Sequence, residues 1–155
     1  MQVIQTGDAM LLARLNKDVH ELHVSLYPQY FKEYRVEEIL EFFSKATGDS
    51  RFLFFVLEDN GKYFGYAWVE IKEYRENAFM KAYRSVFVHQ LSIGSEHRGK
   101  GLGSLLMNTI YELAASRGIR RIELDYWADN HSAASFYDKQ GFQAYRTYVF
   151  KDLED

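Results

Sequence analysis

The sequence predicts a mixed α/β fold, a sheet with helices on its faces. Two kinds of apolar pattern predict it. Several stretches repeat apolar residues at helical spacing, and between them lie short strand-like runs. Asparagine and glycine punctuate the junctions, and the predicted elements follow in the order β-α-α-β-β-β-α-β-α-β.

Residues 2–6 form a predicted first strand, after which Asp8 caps a helix carrying Leu11, Leu12, Leu15, Val19 and Leu22 on one face, with Pro28 as its stop. A second helix is expected over residues 36–46, where Val36, Ile39, Leu40 and Phe43 share a side before Gly48 and Asp49 break the pattern. The continuous apolar run 51–57 suits a buried strand. Asn60-Gly61 is the preferred pair for a tight hairpin, which returns along residues 63–72. A polar segment, 73–84, leads into a strand at 85–93. The helix from Leu102 carries Leu105, Leu106, Ile110 and Leu113 on one side and ends at Gly118. Residues 121–127 alternate Ile122, Leu124 and Tyr126 against Arg121, Glu123 and Asp125, as a half-buried strand should. A short helix at 133–139 closes at Gly141, and 142–151 is expected as a final strand region.

The 155 residues suit one domain, and no repeat or linker suggests a boundary, so residues 1–155 are expected as a single domain. With 47% apolar and 26% charged residues the chain can bury a core and stay in solution. Its formal charge of −3 offers no global attraction to a phosphate backbone, so nucleic-acid binding is not expected. The absence of cysteine excludes a disulfide framework, a thiolate nucleophile and a cysteine-based metal site, and no metal is expected. No basic region followed by an apolar run opens the chain, and no stretch approaches the roughly 18–20 apolar residues of a membrane span. A cytoplasmic protein without membrane partners is the expectation. His20 and His23 lie three apart on a helix but have no evident third ligand for a metal.

The strongest chemical signal is the segment Arg98-Gly99-Lys100-Gly101-Leu102-Gly103, between a strand and a helix. Glycines let a backbone approach an anion, and the first amides of a helix lack internal partners at the positive end of its dipole. This is a phosphate cradle, to which Arg98 and Lys100 add charge. A Walker A loop is satisfied from Gly94 through Gly99 and Lys100 but then needs Ser or Thr, where Gly101 stands. A dinucleotide fingerprint lacks its third glycine from either Gly99 or Gly101.

Arg98-x-x-Gly101-x-Gly103 after an apolar strand resembles the pyrophosphate signature of the GCN5-related N-acetyltransferase (GNAT) superfamily, which binds acetyl-CoA. About thirty residues later, Asn130, Ala133, Phe136-Tyr137 and Gly141-Phe142 resemble that superfamily's C-terminal signature. The resemblance is specific from about residue 85 to 150 and covers the first half only by element order.

The resemblance implies a single-domain GNAT fold with a mixed, mostly antiparallel sheet, splayed between parallel strands 85–93 and 121–127 and with helices on both faces. It also implies transfer of an acetyl group from acetyl-CoA to a primary amine by direct attack. Backbone groups at Leu91, Ser92 and Ile93 would hold the pantetheine arm and polarise the thioester carbonyl. Arg98, Gly99, Lys100, Gly101, Leu102, Gly103 and Ser104 would hold the pyrophosphate. Asn130 and Ala133 would serve the arm or its adjacent loop. Tyr137 matches the acid that protonates the departing thiolate.

The acceptor must be neutral to attack, yet with a pKa near 10.4 fewer than about one lysine-like amine in a thousand is free base at pH 7. Many members of the family carry a glutamate on the strand before the phosphate loop, and none stands between Ser85 and Ile93. His89 is the titratable side chain there, and simple strand alternation puts it on the side of Leu91 and Ile93. Water can also take the proton, and Glu70 and Asp125 on neighbouring strands are further candidates. Glu70 and Asp125 are also candidate substrate contacts, and the acceptor wall that the family usually builds from the first two helices here holds His23, Tyr27, Tyr30, Phe31, Tyr34, Glu33, Glu37 and Glu38. That aromatic and acidic set suits a cationic amine: a polyamine, a lysine or peptide N-terminus, or an aminoglycoside. A non-catalytic acyl-CoA sensor of the same fold is the alternative. Aromatic residues Tyr145, Tyr148 and Phe150 suggest a homodimer.

Overall fold

A computed structural model of the chain describes residues 1–154. It comprises two compact units, residues 1–125 and the residues from Tyr126 onward.

The first unit opens with β1 (Gln2–Gln5), α1 (Ala9–Leu26) and α2 (Val36–Ala46), and continues through β2 (Phe52–Asp59), β3 (Lys62–Tyr74) and β4 (Tyr83–Ile93). A short 3-10 turn at Ser95–His97 precedes α3 (Leu102–Ser116) and β5 (Ile122–Leu124). The sheet order is β1-β2-β3-β4-β5, antiparallel except for the last pair. Asp8 caps α1 as expected, its Oδ1 accepting the Leu11 N–H at 3.0 Å. The hairpin turn at Asn60-Gly61 has φ of 50° and 78°, the double positive-φ conformation that this residue pair tolerates.

Register divides the sheet into two faces. Phe52, Phe54 and Val56 on β2 pair with Glu70, Trp68 and Tyr66 on β3, so these six side chains share one face. Against it α1 and α2 place Leu12, Ala13, Phe43 and Ala46, forming a core in which the Phe43 ring meets the edges of Phe54, Tyr66 and Trp68. The opposite face carries Val69 paired with Val88, and Val86 paired with Ile71. There α3 packs against β4, with Leu106, Met107 and Ile110 fully buried.

Three expectations are corrected. β3 and β4 run further than their apolar cores predicted, because the Tyr74 and Tyr83 rings stack across the ladder at 4.3 Å. Only residues 75–82 are left between the two strands. β5 is three residues, not seven, since its ladder with β4 stops at Val88↔Leu124. Within it the charged Glu123 is buried, held by Arg121 Nε at 3.1 Å and the Tyr83 hydroxyl at 3.3 Å, while Ile122 and Leu124 are half-buried. Ion-pairing and a phenol thus override the plain alternation.

The second unit contains α4 (His131–Lys139), capped by Asn130 and ended by Gly141 at φ 90°. The strand expected at 142–151 is not formed. Those residues have no ladder partner among the described residues, and Tyr145, Tyr148, Val149 and Phe150 are exposed. Among the described residues no helix is long and apolar enough to cross a membrane.

Candidate active site

β4 is interrupted by a bulge. Trp68 pairs with Gln90 and Val69 with Val88, so His89 is an extra residue with no partner on β3. The bulge overturns the expectation that His89 shares a side with Leu91 and Ile93. Those two pair with Ala67 and Gly65, on the α3 face, whereas the His89 ring stacks on Trp68 at 4.5 Å and belongs to the α1/α2 face. Phe87 at 4.9 Å and the edge of Phe52 at 5.7 Å complete its surroundings. Its Nε2 lies 2.7 Å from Glu70 Oε1. Two residues expected in different roles, base and acceptor contact, are therefore bound to each other.

The same stretch of β4 lies beyond the β5 ladder. Pairing between the two parallel strands ends at Val88, so residues 90–93 keep their β3 partners on one edge and have no β5 partner on the other among the described residues. A strand edge without a ladder partner offers N–H and C=O groups to an extended ligand. Leu91, Ser92 and Ile93 lie on it. Close approach of β3 supports this edge, because a Cβ on Gly65 would collide with the Ser92 carbonyl and lie 2.7 Å from Ile93 Cδ1.

The edge runs into the glycine segment. Gly99 and Gly101 adopt φ of 76° and 77°, and Gly101 caps α3 with no side-chain hydrogen bond and no acidic residue in the first turn. Leu102, Gly103 and Ser104 form that first turn, whose amides point out of the helix end. Lys100 is exposed beside it, and Arg98 folds back so that its Nε donates to the Ile93 carbonyl at 3.1 Å. Two residues that sequence reasoning passed over hold the segment down. Asp18 on α1 accepts the Ser95 N–H at 2.8 Å, and the Gly94 N–H donates to the Phe64 carbonyl at 2.9 Å. Phe64 also meets the His97 ring edge-on at 4.7 Å.

A buried polar cluster ties α1 to the strand just past the bulge. Asn16 Nδ2 donates to the Tyr66 hydroxyl at 3.0 Å and to Gln90 Oε1 at 3.2 Å, and the Tyr66 hydroxyl also donates to Gln90 Oε1. Burial pushes the Tyr66 phenol far above its usual range, against the opposing effect of Asn16, so it stays neutral. Neither Asn16 nor Gln90 carries a sequence signal, because the contact joins positions 74 apart.

In the second unit, Asn130 Oδ1 accepts the Ala133 N–H at 3.1 Å, which spends both groups on capping α4. Tyr137 is buried among the rings of Tyr126, Phe136 and Phe142 at 5.1–6.0 Å. Of the acceptor candidates, Phe31 stacks on His23 at 4.9 Å and Tyr27 on Tyr30 at 6.2 Å, forming one aromatic group at the end of α1. Asp125 is exposed, one residue past β5.

A five-stranded sheet whose single parallel pair ends at Val88 therefore leads into a glycine-capped helix. A model of the acetyltransferase (GNAT) family matches residues 16–142, and the chain belongs to that family. It is 35% identical over 95 residues to an uncharacterized N-acetyltransferase of Methanocaldococcus jannaschii, an alignment covering 58% of this chain and 38% of that protein. A mycothiol acetyltransferase of Amycolatopsis mediterranei is 32% identical over 96 residues, 62% of this chain and 32% of the relative. The chain thus spans less than two thirds of these curated relatives. The crystal structure of a tetramutant of a Bacillus halodurans protein superposes with a TM-score of 0.92 at 22% identity, covering 99% of this chain and 100% of that one.

Proposed function

We propose that the protein transfers the acetyl group of acetyl-CoA to a primary amine by direct attack. The observation that carries this reading is the open β4 edge beyond Val88 leading into the glycine-capped start of α3. One element takes the extended arm and the next takes the pyrophosphate. The residues fit coenzyme A in kind. Backbone at Leu91, Ser92 and Ile93 pairs with the arm, and the helix-start amides with Lys100 face the phosphates. A structural neighbour of the same fold, AAC(6′)-Iy, is known in complex with the bisubstrate analogue CoA-S-monomethyl-acetylneamine, with a TM-score of 0.70 at 16% identity. This supports a coenzyme A thioester as donor and a small amine as one acceptor class.

In the proposed reaction the amine gives up a proton to His89, directly or through water, and its lone pair attacks the thioester carbon. The C–N bond forms as the C–S bond breaks, the Tyr137 hydroxyl protonates the departing thiolate, and the second proton, shed by the attacking nitrogen as the amide forms, returns through water to the Tyr137 phenolate. A thiol near pKa 8.5 and a phenol near 10 make that last transfer nearly balanced, so position governs its usefulness. Aromatic rings and carboxylates near α1 and β3 favour a cationic amine as acceptor. Self-association through the exposed aromatic segment 145–150 is part of the same proposal.

Turnover with a panel of polyamines, lysine peptides and aminoglycosides, read as released CoA thiol, tests the reading. Tyr137→Phe is expected to bind acetyl-CoA with unchanged affinity and to lose about 100-fold in kcat, the lower end of what a general acid supplies. Acetyl-CoA binding without turnover on any amine overturns the catalytic reading in favour of a sensor. No acetyl-CoA binding overturns the assignment of the donor.

A further inference from the structure

We propose that Glu70 is a positioning residue for His89. Its carboxylate holds the neutral imidazole with the proton on Nε2 and so presents Nδ1 as the nitrogen that takes the proton of the acceptor amine. The inference rests on the reading of His89 as the base.

Three observations carry it. The bulge leaves His89 without a cross-strand partner, so the ladder alone does not set the direction of its ring. The ring is set instead by flat contact with Trp68 at 23° and by Phe87 and Phe52 at its sides. Rotation within that slot is then decided by the Nε2–Oε1 bond of 2.7 Å. An ionised carboxylate only accepts, so a neutral imidazole bonded to it through Nε2 must carry its proton there. Glu70 and His89 side chains are 12% and 25% exposed, and little water competes for the bond.

Proton bookkeeping closes on this arrangement. The ammonium proton passes to Nδ1, giving an imidazolium whose second N–H already faces the Glu70 carboxylate. After attack the Nδ1 proton leaves to water and the neutral ring returns to its starting tautomer. Glu70 touches neither donor nor acceptor, which separates it from the substrate-contact role that sequence position alone suggested.

Long-range proton–nitrogen spectra of the histidine-labelled full chain read the ring protonation without any acceptor present, with His89→Gln used to assign the signal. A His89 proton on Nε2, slow to exchange and released in Glu70→Ala, is the expected result. A ring proton on Nδ1 overturns the inference whatever the turnover. Kinetics supply the second arm. Glu70→Gln is expected to lower kcat about tenfold with less than about a twofold change in the acceptor KM, and to add nothing in a His89→Gln background. A raised acceptor KM at unchanged kcat, or an additive loss, overturns it and makes Glu70 a substrate contact. Unchanged turnover in His89→Gln alone overturns the base reading itself. That outcome is distinct from an active enzyme in which the ring proton sits on Nδ1.

Discussion

Asp18 lies within α1, yet its carboxylate accepts an amide proton from a residue 77 positions away. The Ser95 N–H it binds opens the turn that precedes the glycine segment, so a helix-face carboxylate sets the height at which the cradle begins. A hydrogen bond to a charged acceptor contributes about 1.5–3 kcal/mol, and solvent exposure at this site brings that down to about 1 kcal/mol. Asp18→Ala is therefore expected to raise the KM for acetyl-CoA about fivefold with a smaller change in kcat, as steady-state kinetics with varied donor will show. An unchanged donor KM would mean that the segment holds its shape without α1. Arg98, Gly99, Gly101 and Tyr137 were visible in the sequence as candidates, because each sits in a short motif of residues of fixed type. Asp18, Asn16 and Gln90 were not. Each acts through a partner far along the chain, and an acid or amide on a helix face has no local mark that distinguishes it from a solvated one.

At the scale of elements, the ladder between β3 and β4 decides where functional side chains point. The helices and the Asn60-Gly61 hairpin were legible because their signals are local: periodic apolar residues, caps and a turn pair with positive φ. The bulge at His89 left no such mark. One inserted residue reverses the faces of everything beyond it, and alternation read from the sequence runs straight through. Gly65 records the same close approach from the other strand. A Cβ there meets the Ser92 carbonyl and Ile93 Cδ1, so Gly65→Ala must push β4 away. Overpacking of this kind costs about 1–3 kcal/mol, to be seen as a lower urea midpoint at unchanged slope. A midpoint equal to wild type would show that the strands separate without strain.

The end of α1 gives a pH-dependent counterpart. Burial, with His20 as a second cause, holds the His23 imidazole below its ordinary pKa while it stacks on Phe31. The native state then favours the neutral ring, and below about pH 6.5 the unfolded chain binds more protons than the folded one. Stability from this group is complete above that pH and falls as pH drops beneath it. His23→Gln should flatten the loss of urea midpoint between pH 7.5 and pH 5.5. An identical loss in the variant would assign the acid sensitivity to other groups.

Over the whole molecule, the feature that composition did not reveal is how much apolar surface remains uncovered at one end of the chain. Twelve tyrosines and twelve phenylalanines suggested a ring-rich core, and Phe43, Phe54 and Tyr66 supply one. Tyr148 and Phe150 are instead 88% and 80% exposed, with Tyr145, Val149 and Leu153 also exposed. The residues from 142 to 150 have the aromatic, β-branched composition of a strand but no ladder among the described residues. Soluble monomers rarely leave a contiguous apolar run of this size in water, since about 25 cal/mol is forgone for each Å² uncovered. Pairing of this segment with a second copy of the chain would cover the side chains and satisfy the backbone together. Sedimentation equilibrium of the full chain is therefore expected to give a concentration-dependent dimer, and Tyr148→Asp with Phe150→Asp to shift it toward monomer without lowering the urea midpoint. A monomer at every concentration would remove self-association from the proposal, and acetyl-CoA binding measured on that same monomer would show the donor site to be complete within one chain.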